Sequence, residues 1–128
     1  MKTLKNLLAV VGFAAFLTAC ENDKSLEDLP VVKDDVSFAL DIQPIISAHC
    51  AGCHNPANVN PDLRKDFAYA SLTEDEESIV PGNSEDSELV QMLERVSEDG
   101  KAMPPSEPLS PFKLALIRKW IDEGAKNN

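Results

Sequence analysis

The sequence predicts an all-α fold for one small domain, and three observations predict it. Apolar residues recur at three- and four-residue spacing in several stretches, most clearly Leu114, Ile117 and Ile121. Helix punctuation brackets the clearest stretch, with Ser110 and Pro111 before it and Gly124 after it. No stretch makes a convincing strand, and no internal repeat is present.

The first helix is expected from Ile42 to about Cys50, with Ile42, Ile45 and Ile46 on one face. Asp41 is its expected cap, and Pro44 falls in the first turn, where a missing amide donor does no harm. Asn55 to Asp66 is rich in proline and asparagine and reads as a loop. Ala68 to Thr73 reads as a short helical turn. A third helix opens at Asn83 or Ser84, with Glu85, Asp86 and Glu88 near the positive end of its dipole. Its apolar stripe is Leu89, Leu93 and Val96, and Met92 lies beside it. The last helix buries Leu114, Ile117 and Ile121, with Leu116 and Trp120 alongside, and turns Lys113, Arg118 and Lys119 to water. First and last helices should pack together, with Phe38 against Trp120.

Ahead of the domain, residues 1–19 read as a targeting segment. Lys2 and Lys5 supply the positive start, Leu7 to Phe16 the apolar stretch, and small residues precede Cys20. Leu17-Thr18-Ala19-Cys20 resembles the lipobox of bacterial lipoproteins, which implies cleavage before Cys20 and a lipid on its sulfur. The apolar run to Ala19 is too short for a spanning helix, which takes about 20 residues. A plain secretory signal with an incidental cysteine is the other reading. Residues 20–36 are acidic and without apolar periodicity, and read as a flexible tether. The domain then occupies 37–126.

The formal net charge is −10, and −12 once Lys2 and Lys5 are removed with the leader. That balance argues against nucleic acid and against an anionic membrane surface as charge-driven partners. The acidic run Glu74 to Glu77 reads as solvated surface. Aromatic residues are only 5%, a thin supply for a core, which would gain from a large apolar cofactor.

Besides Cys20, the cysteines are Cys50 and Cys53, in Cys50-Ala51-Gly52-Cys53-His54. C-x-x-C-H is the attachment signature of c-type haem. Two cysteines three apart sit on neighbouring positions of a helical turn, so both sulfurs reach one porphyrin edge. His54 follows as the proximal iron ligand, and Gly52 removes a side chain where the macrocycle approaches the backbone. Three other readings are a redox disulfide, a structural disulfide, and zinc held by His49, Cys50, Cys53 and His54. The first belongs near a βαβ pattern, the second closes too short a loop to stabilise much, and the third lacks a distant ligand pair. His49 reads as structural or as a neighbour of a haem propionate.

For the second axial position the chain after His54 offers Met92 and Met103. Met92 suits a core position on the third helix. Met103 precedes Pro104 and Pro105, which hold the loop stiff and out of the helical region. Met103 is therefore preferred as the distal ligand.

Phe38 to Ile46, then His49 to His54, resemble the start of a planctomycete-type cytochrome c domain. Val80-Pro81-Gly82-Asn83 with Ser87 to Val90, Met103-Pro104-Pro105, and Leu109-Ser110 with Trp120 to Ala125 resemble its later blocks, in order. The resemblance covers about Phe38 to Ala125. It implies a small helical domain wrapped around one covalent haem c, ligated by His54 and usually by methionine, here Met103. The function expected is single-electron transfer with redox partner proteins, in a lipid-anchored protein of the bacterial envelope facing the periplasm, without substrate chemistry of its own. The alternative is a haem-binding accessory or sensor subunit of a larger envelope redox enzyme.

Overall fold

The computed structural model describes residues 30–95 and 102–128. The leader, Cys20 and the first part of the tether lie outside the described residues, as do Val96, Gly100 and Lys101. Among the described residues there are four helices: α1 (Gln43–His49), α2 (Ala68–Leu72), α3 (Glu88–Leu93) and α4 (Pro111–Asp122), with a π-helical turn, Phe38–Ile42, running straight into α1. Among the described residues there is no strand, only an isolated parallel bridge between His54 and Val59. Nor is any helix there long and apolar enough to cross a membrane.

The first helical segment starts earlier than the apolar spacing suggests. Ser37, not Asp41, is the cap: its Oγ accepts from the Leu40 amide at 3.2 Å. Asp41 reaches back and accepts from the Ser37 amide at 2.8 Å, so the two cap each other's ends of one turn. The π-turn buries Phe38 and Ile42, and α1 buries Ile45 and Ile46.

The third helix is shorter than expected. Residues 83–86 form a turn, in which the Asn83 side chain pairs with Asp86. Ser87 then precedes α3, its Oγ donating to Asn83 O and accepting from the Val80 amide, both at 2.9 Å. These side-chain bonds offer the backbone an alternative to helix, as short polar residues do.

Helix α4 keeps its expected ends. Ser110 Oγ accepts from the Lys113 amide, and Pro111 takes the first position. At the far end Gly124 has φ 98°, and its amide donates to Ile121 O while the Ala125 amide donates to Trp120 O. That pair of bonds is a Schellman ending, which favours glycine at the left-handed position. Leu116, Ile117, Trp120 and Ile121 are buried. Arg118 and Lys119 do not simply face water: Arg118 bonds Glu94 at 2.6 Å, and Lys119 pairs with Asp34 and Glu123.

The π-turn and α4 meet through Phe38 and Trp120, ring centroids 5.3 Å apart, with Tyr69 set edge-on to Phe38. Trp120 Nε1–H donates to Lys126 O and Tyr69 O–H to Ala125 O, so both buried aromatic polar tips are satisfied. Packing extends beyond 37–126 on both sides. Val36 is 2% exposed, the Asp35 and Val36 amides donate to the Glu123 carboxylate, and Lys33 pairs with Asp41. Asn128 accepts from the Phe38 and Ala39 amides. The segment expected as free tether up to Val36 is thus a docked strap over its last residues, because the Glu123 and Asp41 carboxylates and the Lys119 ammonium hold it at the end of α4 and the π-turn.

Candidate functional site

Helix α1 ends where the motif begins. The Cys50 amide still bonds Ile46 O at 2.9 Å, and the Cys53 and His54 amides then both turn back onto Cys50 O, at 3.1 and 2.9 Å. The motif is therefore one tight turn closed on a single carbonyl. Asn55 clamps it from outside: its Nδ2 donates to Ala51 O and Gly52 O, and its Oδ1 accepts from the Ala57 amide. The Leu63 amide donates to His54 O at 3.0 Å. The backbone of His54 is thereby held from both sides.

The two thiols differ in setting, and both are free. Cys53 is exposed. Cys50 is half-buried against the apolar core, and burial pushes its thiol up to about 11, since a low-dielectric setting disfavours the thiolate. Cys50 lines a small cleft of about 20 Å³, partly open to solvent. Its walls are apolar: Ile42, Ile45 and Ile46 from the first helical segment, Leu89 and Leu93 from α3, Ile117 from α4, and Leu63, Leu72 and Leu109.

His54 is half-buried, and its Nδ1 is enclosed without a hydrogen-bond partner. Met103 packs against the same apolar core as Cys50. Its amide donates to Met92 O at 3.0 Å, and Arg95 bonds Pro104 O, so the loop is tied to the end of α3. Met92 is half-buried and is not among the side chains packed on that core. His49 is exposed, with Nε2 2.7 Å from Lys113 Nζ at the start of α4.

Among the described residues no three His, Cys, Asp or Glu side chains come together as a metal site, so the crowded zinc set does not converge. Sequence reasoning missed Asn55, Leu63 and Arg95, which hold the motif turn and the Met103 loop. Asn55 carried a usable signal, a short amide side chain just after the motif and before Pro56. Arg95 and Leu63 carried none.

A helical domain that closes a C-x-x-C-H turn beside an apolar cleft has the arrangement expected of a small c-type cytochrome domain. Residues 50–107 match the family described as Planctomycete cytochrome C. No curated protein matches the chain. Among solved structures, a chain of Kuenenia stuttgartiensis Hydrazine Synthase matches with a TM-score of 0.55 at 29% identity, over 70% of this chain and 16% of that one. This chain therefore spans only a small part of the length of that neighbour.

The family implies a covalently bound haem c, and the residues present fit it. The apolar wall beside Cys50, the exposed Cys53 thiol on the same turn, and the half-buried His54 ring with an unpartnered nitrogen suit an apolar group attached through the turn, although neither His54 nor Met103 lines that small cleft.

Proposed function

We propose that the domain holds one haem c through thioethers on Cys50 and Cys53, with His54 and Met103 on the iron, and passes single electrons between redox proteins of the bacterial envelope. The observation that carries this reading is the closed motif turn whose half-buried Cys50 lines the apolar cleft. When bound, haem c supplies a one-electron iron couple.

The chain's own residues do the rest. Cys50 would hold the group through a thioether, its S–H adding net across one vinyl group, which needs no oxidant. Cys53 stands in solvent on the same turn. Asn55 and Leu63 fix the backbone from which His54 projects. Met103 contributes a soft thioether sulfur, and His/Met ligation raises a haem potential. The cleft's leucines and isoleucines would give the group an apolar setting, which tunes the potential further. A lipid on Cys20 holds the protein to a membrane with the domain in the periplasm, and the acidic surface leaves nucleic acid out of the partner set. No bond chemistry on a substrate is part of this role.

The hydrazine synthase likeness favours a second reading, an accessory or sensor subunit of a larger redox enzyme. The two part at the sixth ligand. Oxidised and reduced visible spectra of the matured protein, with and without carbon monoxide, separate them. A six-coordinate spectrum that carbon monoxide leaves unchanged supports the carrier, and a new carbonyl spectrum supports the sensor.

A further inference from the structure

Two residues of α4, four apart and so on one face of the helix, reach across to the segment that carries α3. Asp122 Oδ1 accepts from the Ser84 amide at 2.8 Å. Arg118 reaches further. Its Nε and Nη2 donate to one oxygen of Glu94 at 2.9 and 2.6 Å, and its Nη1 donates to Ser84 Oγ at 3.3 Å. Ser84 stands shortly before α3, and Glu94 is the C-terminal cap of α3. One guanidinium therefore grips the chain on both sides of α3, which a planar fork of donors can do and a point-like ammonium cannot.

The end of α3 that Glu94 fixes is also where the Met103 loop is tied. Met92 O accepts from the Arg95 amide at 3.2 Å and from the Met103 amide at 3.0 Å. Arg95 has φ 62°, a left-handed conformation uncommon outside glycine. Such a conformation persists where its surroundings hold it, and the Arg95 side chain donates to Pro104 O at 3.0 Å. Glu94 thus stands next to Arg95 and two residues after Met92, the two residues to which Met103 and Pro104 are bonded.

We propose that Arg118 and Glu94 are positioning residues that reference Met103 to α4 and so hold its thioether in place as the sixth ligand. This rests on the haem and ligand reading above. Their side chains are 27% and 30% exposed, and an ion pair that exposed adds little to global stability. Its effect should therefore show at the ligand more than in unfolding.

The matured haem protein tests this. In Glu94→Ala the sulfur-to-iron band of the oxidised protein should weaken several-fold, and the ferrous protein should form a carbonyl several-fold faster than the native one. Its potential should fall, because methionine ligation raises it. Glu94→Gln keeps an oxygen that can accept both N–H groups and should retain the band. Asp34→Ala removes another exposed ion pair of α4, the one with Lys119, and should change neither the band nor the carbon monoxide rate. A native band and rate in Glu94→Ala overturn the positioning role, whatever happens to the denaturant midpoint. A band lost equally in Asp34→Ala also overturns it, since that marks a general loosening of α4. A band that survives Met103→Ala overturns the ligand reading itself, and the positioning role with it.

Discussion

At position 53 a thiol stands in solvent, while three residues earlier its partner lies against isoleucines with its ionisation pushed up to about 11. The thiolate is the reactive form, so at pH 8 only roughly one Cys50 in a thousand is ionised. In folded, haem-free protein iodoacetamide should therefore alkylate Cys53 at least tenfold faster than Cys50, as read by peptide mass spectrometry. Equal rates would mean that Cys50 is not enclosed as described. The proposed distal ligand is likewise tested at one residue. Met103 packs on the core shared with Cys50 and Met92 does not. Met103→Ala should abolish the weak sulfur-to-iron absorption band of the oxidised haem protein. If the band persists, the role passes to Met92.

The elements differ in how far they could be read in advance. Helix α4 was legible because its signals are local: Ser110, Pro111 and Gly124 act within a few residues of where they stand. The start of the first helix was misplaced by four residues, because Asp41 looks like a cap but serves Ser37 from inside the turn. The opening of α3 was misplaced because Asn83, Asp86 and Ser87 bond one another and their neighbours instead. In α4 the deciding side chain is Trp120, fully buried between Phe38 and Tyr69. Trp120→Ala should cost about 3–5 kcal/mol by denaturant unfolding of the haem protein. A cost below 1 kcal/mol would contradict the packing of the first helical segment on α4.

At the scale of the whole molecule, the strap was invisible in the sequence, since Val36 and Glu123 are 87 residues apart and carry no pairing signal. The cleft was invisible for the same reason, although each of its leucines was a plausible core residue. The C-x-x-C-H motif was legible because its residue types stand at fixed spacing within the stretch that matches the family. Strap docking should depend on pH. The Glu123 carboxyl is held below its ordinary value first by the Val36 amide, Asp34 by Lys119, and Asp41 by Lys33. A carboxyl lowered in the folded state contributes stability above its unfolded value and loses it as pH falls through the folded one. The strap should then hold at neutral pH and release only in acid. In NMR spectra the Val36 amide should titrate with a midpoint below about 4.3, the ordinary glutamate value. A midpoint above that would place the Glu123 carboxylate away from the strap.

The most direct measurement is acid–acetone extraction of protein matured in a host with haem-attachment machinery. Colour should stay with the polypeptide, at one haem per chain, and be lost in Cys50→Ala, Cys53→Ala protein. Colour that passes wholly into the solvent, or protein that never acquires any, would contradict covalent attachment at the motif turn.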